Sequence, residues 1–304
     1  MCGNDELIPS VHQHCTTHRE DHIMCRRCQT FVGIVCLSIV VVVGRGWFST
    51  GSGAGSLLAS RTVRAAELKA GSEWGGLKGR FVLLGTPPAP RKLSTGGKDG
   101  AVCDQHPIVD DSLLVDTESR GIANIAVYVR KTSRIHEKYT ATEKAEVVFD
   151  QKNCVFLTHV LPIRVSQTLV IKNSDPIGHN SSISPPGDGG INPLLAGGGE
   201  QKHLFKRQQT VPVAVTCNIH PWMKAYVFPR NDPYCVATAA NGGFELSDLP
   251  AGEEIEFQIW HERGKGNQGA VDAKGWAKGR RKLSLKPGEV LDLGEIEVAA
   301  SSLK

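Results

Sequence analysis

The run Thr210-Val-Pro-Val-Ala-Val-Thr-Cys217-Asn-Ile-His220-Pro-Trp-Met223 joins two signals. Its first half alternates, so that Val211, Val213, Val215 and Cys217 share one face of a strand, as period-two side-chain geometry requires. Its second half gathers a thiolate, an imidazole and a thioether within seven residues. The two-residue intervals let a tight loop fold His220 and Met223 back over the end of the strand, and Pro221 stiffens that loop by fixing its own φ.

Such soft donors suit copper. A structural zinc usually takes four Cys or His ligands, and methionine serves it poorly. A trigonal copper site of two His and one Cys with a long axial Met needs one further histidine. His179 is the candidate, because it lies in a turn-rich segment, Asn173-Ser-Asp-Pro-Ile-Gly-His179-Asn180, just past the strand Thr168 to Lys172. Asn180 is expected to hydrogen-bond across to the Cys217 region and so support the ligand geometry. The competing use of Cys217 is a disulfide to Cys154 or Cys235.

Around these motifs, short β-rich runs recur between Gly, Pro, Asn and Asp, which argues for an all-β sandwich. Strands are expected at Gly79–Leu84, Ile122–Val129, Glu146–Phe149, Cys154–Leu157, Thr168–Lys172, Thr210–Cys217 and Ala225–Phe228. Within the second of these, Ile125, Val127 and Val129 share a face. Gly243–Leu246 and Ile255–Trp260 read as a hairpin around Ser247–Glu254, and the alternation from Leu291 to Val298 slips phase at Gly294, as a β-bulge would make it do. The Gly- and Pro-rich segment 184–199 reads as a loop, 264–279 as a mobile one, and a helical turn is conceivable at 104–116. No internal repeat of fixed period is present.

Cys217-Asn-Ile-His220-Pro-Trp-Met223 resembles the copper loop of the cupredoxins, the amicyanin and plastocyanin type above all. The pair His179-Asn180 resembles the upstream ligand of that family and the asparagine after it. This likeness covers roughly residues 150 to 228. It implies a Greek-key sandwich holding one type 1 copper, with His179, Cys217, His220 and Met223 as ligands, Asn180 supporting the sulfur, and one-electron transfer with a redox partner protein in the cell envelope. The flanks resemble the secreted bacterial proteins of the "methylamine utilization" cupredoxin-like type, and the tail a carboxypeptidase-regulatory or transthyretin-like β-hairpin. The expected organisation is a signal or anchor region at 1–65, an N-terminal β region at 66–134, the copper domain at 135–230 and a β-sandwich extension at 231–304.

Composition bounds the remaining readings. The chain has 304 residues, 40% of them hydrophobic and 22% charged, with a net charge of +4. No basic run interleaved with aromatics supports nucleic-acid binding. Arg26 and Arg27 precede the apolar run Phe31–Val43, which is 13 residues long. A spanning helix needs roughly 20 residues, so export through a signal, to the periplasm or beyond, is the expectation; cleavage near Ala65 or retention as a membrane anchor are both open. Either Met1 or Met24 can be the start, and the second places His12, His14, His18 and His22 outside the protein. Of nine cysteines, Cys103, Cys154, Cys217 and Cys235 lie beyond the apolar run, which allows three pairings. Covalent haem attachment is excluded by the lack of Cys-x-x-Cys-His. No Ser-His-Asp order, G-x-S-x-G, P-loop or HExxH is present, and Asp104, Asp110, Asp111 and Asp116 lack the glycine and closing glutamate of a calcium loop. A non-enzymatic role is therefore expected. Copper storage or delivery, and a structural or adhesive sandwich with a vestigial site, are the alternatives. Among the other histidines, His159 and His261 read as structural, His203 as a surface residue, and His106 has no evident partner.

Overall fold

The computed structural model describes residues 73–303. The apolar run at 31–43, the histidines and cysteines before it and the choice of start residue lie outside them. Among the described residues no helix is long and apolar enough to cross a membrane.

Seventeen strands among the described residues carry the fold. The first six are β1 (Trp74–Leu84), β2 (Ala126–Val129), β3 (Glu146–Lys152), β4 (Val155–Phe156), β5 (Val160–Arg164) and β6 (Thr168–Asn173). Then come β7 (His179–Asn180), β8 (Ser182–Ile183), β9 (Leu194–Leu195), β10 (Glu200–His203), β11 (Val213–Thr216) and β12 (Lys224–Arg230). The last are β13 (Cys235–Ala237), β14 (Gly243–Pro250), β15 (Glu254–Trp260), β16 (Arg280–Ser284) and β17 (Val290–Ala299). A short helix, α1 (Gly100–Cys103), precedes β2.

Two sandwiches result. In one, the sheet β14-β1-β17 faces the sheet β13-β2-β15-β16 across a core that includes Phe81, Phe257 and Trp276. In the other, β10-β6-β3-β4 faces β5-β12-β11-β8 across Phe149, Leu169, Val215, Cys217 and Met223. A third cluster joins them: Ala126, Tyr128 and Trp260 from one sandwich meet Val160, Tyr226 and Phe228 from the other. Alternation explains how one strand serves two cores. Along β2 the residues Val127 and Val129 point into the first core while Ala126 and Tyr128 point into the junction, and all four are buried. Tyr128 meets Phe228 edge-on with ring centroids 4.8 Å apart, a geometry worth about 0.5–1.5 kcal/mol beyond area burial. The strands before residue 130 and after residue 230 thus build one sandwich together, and the chain between them builds the other.

The phase slip at Gly294 is a register shift. β17 runs parallel to β1 with Lys78 opposite Asp292 but Arg80 opposite Glu295, and Gly294 takes a φ of 62° there. Other expectations need correction. β14 and β15 do not form a hairpin: β14 pairs with β1, and β15 with β2 and β16. The chain continues as strand through Pro250 and turns at Gly252, so the apolar sides of β14 and β15 face each other across the core. The segment 264–279 is not a mobile loop either. Ala270, Val271 and Trp276 are buried, while Gly269, Gly275 and Gly279 supply its positive-φ turns. Its glycine and lysine content obscured the three side chains that anchor it. The short helix lies at 100–103, just before the stretch where a helical turn was conceivable.

Candidate metal centre

β11 ends at Thr216, so Cys217 continues its inward face into the second core. The chain then reverses: the Met223 N–H donates to the His220 carbonyl at 2.9 Å, and the Cys217 N–H to the Met223 carbonyl at 3.2 Å. His179 reaches the same place from β7, which pairs with β9, a strand formed within the segment expected to be loop. Asn173 fixes the approach. Its side-chain amide donates to the carbonyls of Ile177, Leu195 and Ala196 at 2.7, 3.0 and 3.1 Å.

His179, Cys217 and His220 each offer a donor atom, and these atoms lie within 4.8 Å of one another. The two Nδ1 atoms are 2.8 Å apart, and Cys217 Sγ lies 3.8 Å from His220 Nδ1. His179 and His220 are 0% exposed, Cys217 2% and Met223 1%. Met223 sits in the same cluster as Cys217. Asn180 Oδ1 accepts the Asn218 N–H at 2.8 Å and the Cys217 thiol at 3.5 Å, and the His220 N–H points at the sulfur at 3.4 Å.

Two carboxylates face the outer nitrogens of the imidazoles. His179 Nε2 lies 2.8 Å from Asp175 and His220 Nε2 2.9 Å from Asp99. Asp175 also accepts the N–H groups of Asn153 and Cys154 at 2.6 and 2.8 Å. Carboxylate oxygens accept, so each Nε2 donates its proton to its carboxylate, and in the neutral imidazole that leaves Nδ1 with the lone pair. Burial pushes the His179 pKa below its ordinary value, with the Asp175 hydrogen bond acting against it, which favours the neutral, ligating form. With both rings in that form the two Nδ1 atoms, 2.8 Å apart, are placed to share one cation. Imidazole nitrogens about 2.0 Å from an ion lie about 3.3 Å apart at tetrahedral angles and about 3.5 Å apart at trigonal ones, so the two rings would part by about half an ångström or slightly more to admit one. With a cysteine sulfur beside them and a thioether in the same cluster, the donor set fits copper.

Comparison with known proteins yields structures alone. No family model matches the chain, and no curated protein matches it. Some of the solved structures similar to it are copper proteins. A reduced Cu(I) form of an amicyanin mutant is 20% identical, covering 28% of this chain and 82% of its own, with a TM-score of 0.26. The purple cupredoxin from Nitrosopumilus maritimus is 23% identical over 29% of this chain and all of its own length, at 0.24. The copper-containing nitrite reductase from Thermus scotoductus SA-01 is 22% identical, over 28% of this chain and 22% of that enzyme, at 0.26. At TM-scores this low, the functional reading rests on the side chains.

The remaining histidines and cysteines fall elsewhere. Cys154 is disulfide-bonded to Cys103, which leaves Cys217 and Cys235 as the thiols of the described residues. The proximity of Cys154, Asp175 and His179 is therefore no second thiolate site. His261 is buried, and burial pushes its pKa down to about 4, so it is neutral packing. His203 is not a surface residue: it is half-buried, edge-on to Phe205 at 4.8 Å. His159 is bonded on both nitrogens, to Asp111 at 3.0 Å and Glu262 at 2.5 Å. Sequence reasoning missed Asp175 and Asp99. The first lies four residues before His179; the second stands 121 positions from His220, in a loop with no motif.

Proposed function

We propose that this chain binds one copper ion through His179, Cys217 and His220, with Met223 as the weak axial contact, and uses it for one-electron transfer. The observation that carries this reading is the convergence of two imidazoles, each with its Nε2 against a carboxylate, and one free cysteine on one buried point. Copper bound there supplies the redox couple. The protein's part is to hold the donors still: Asn180 and the His220 N–H fix the sulfur, the two carboxylates fix the rings, and the β11–β12 turn fixes the loop. Donors arranged beforehand in a buried site change little between oxidation states, which favours rapid transfer. The same burial argues against copper delivery, which needs donors that exchange their cargo.

The Cys103–Cys154 disulfide supports an oxidising compartment, in keeping with export to the periplasm or beyond and a redox partner in the cell envelope. The test is titration of the purified protein with Cu(II). Stoichiometric binding with an intense thiolate-to-copper visible band, reversibly bleached by a reductant, supports electron transfer. Cu(I) binding without that band on oxidation points to storage or delivery. No binding of either state leaves a sandwich with a vestigial site.

A further inference from the structure

Asp99 is in an unusual position for an aspartate at a helix start. It is the N-cap of α1, where such a side chain ordinarily accepts a backbone N–H of the first turn, yet it makes no such bond. Its backbone is left-handed, with φ 51° and ψ 33°, a conformation that strains a non-glycine residue. The carboxylate forgoes the cap and instead receives His220 Nε2–H at 2.9 Å.

The segment that delivers it is firmly held. Residues 91–110 form a strap closed at its base by Leu93 N–H to Ile108 O at 2.9 Å and Asp110 N–H to Arg91 O at 2.8 Å. Its far end carries α1, whose Cys103 is bonded to Cys154 at the β3–β4 turn. Leu93, Val102, Cys103 and Ile108 share a cluster with Trp222 of the ligand loop, and Trp222 Nε1–H donates to the Cys154 carbonyl at 3.0 Å. The strap therefore packs against the loop that bears His220, and Asp99 is its polar reach into the centre.

We propose that Asp99 is a positioning residue for His220: the strap, stapled by Cys103–Cys154, supplies from outside the second sandwich the acceptor that holds this ligand's ring and its Nε2–H form. This rests on the copper reading above. Asp175 holds His179 in the same way from within the sandwich, so each imidazole has its own carboxylate. Such outer partners raise ligand basicity and set ring orientation, and their loss typically lowers metal affinity about 10–100-fold.

The experiment compares wild type with Asp99→Gly and Asp99→Asn. Glycine accepts the left-handed backbone without strain and removes the acceptor; asparagine tolerates that backbone and keeps an acceptor oxygen without the charge. Three readouts apply: Cu(II) affinity by chelator competition, the electron paramagnetic resonance spectrum, and the 15N shifts of His220 in the metal-free protein. We expect Asp99→Gly to lose about 10–100-fold in affinity, to alter the copper spectrum and to shift His220 out of the Nε2–H form, at an unchanged unfolding midpoint. Asp99→Asn should recover most of the affinity. If wild type binds copper and Asp99→Gly binds it equally well with the same spectrum, the positioning role is overturned while the copper reading stands. If wild type binds no copper, that reading fails, and the 15N shifts alone decide whether Asp99 sets the ring: unchanged shifts in Asp99→Gly refute it.

Discussion

Cys217 is the residue whose removal separates a copper site from a merely buried histidine pair. Its sulfur lies 3.8 Å from His220 Nδ1, and Asn180 and the His220 N–H surround it. Cys217→Ser keeps the size and removes the soft donor, so the variant should fold and lose the visible copper band entirely; a visible titration beside circular dichroism checks both. Persistence of the band in a folded variant would sink the assignment. The convergence of residues 217–223 on one point was legible in the sequence because residue type and spacing carry it: a thiol, an imidazole and a thioether at fixed intervals are already a candidate donor set. His179 and Asn180 were legible by their place after a strand. Asp99 was not, since an aspartate between Lys98 and Gly100 has no local mark of its task, and a contact across 121 positions exists only in the folded chain.

Elements were legible where alternation is clean and obscured where composition misleads. β2 and β11 are visible in the spacing of their valines, and the bulge at Gly294 in a broken phase. Which strands pair was not legible at β14 and β15, because a hairpin and a corner across a core share the same local turn. The segment 264–279 looked loose by composition, yet Trp276 is 1% exposed within the first core. Trp276→Ala should therefore cost about 3–5 kcal/mol, read as a lowered denaturation midpoint, whereas a loose loop would leave the midpoint unmoved. The strap makes a second demand at this scale. Cys103–Cys154 closes a span of 51 residues, and in the chain-entropy account such a closure stabilises by about 4 kcal/mol. Cys103→Ser with Cys154→Ser should lose stability of that order; it should also weaken copper binding as Asp99→Gly does, because the strap that carries Asp99 is no longer fastened.

At the scale of the whole molecule, the junction between the sandwiches combines an apolar cluster with a buried ionic knot. Tyr128, Trp260, Tyr226 and Phe228 supply the first. The second is centred on His159, at the entry to β5, which bonds Asp111 and Glu262; Glu262 in turn accepts from Lys224 at 3.0 Å and Tyr226 at 3.2 Å. Glu262 follows β15 and Lys224 opens β12, so the knot ties one sandwich to the other. Burial works against the charged imidazole, but the hydrogen bonds to Asp111 and Glu262 outweigh it and raise His159 to about 9. Burial likewise opposes the Glu262 carboxylate, and the bonds from His159 and Lys224 hold it below its usual value. The signs then define a window. The folded pKa of His159 lies above its unfolded value of about 6.5, so its stabilisation is complete below that pH and is lost as pH rises through about 9. A rise of that size corresponds to a contribution of about 3 kcal/mol. Glu262 contributes above its unfolded value and is lost in acid. Wild-type stability should therefore fall between about pH 7 and 10 by more than in His159→Gln. At neutral pH that variant should already be weaker by about 3 kcal/mol, since it leaves a buried carboxylate short of a partner. Denaturant unfolding of both proteins across this range measures the difference directly. Parallel curves would mean that His159 is neutral in the folded protein and that its ion pairs with Asp111 and Glu262 add nothing to the junction.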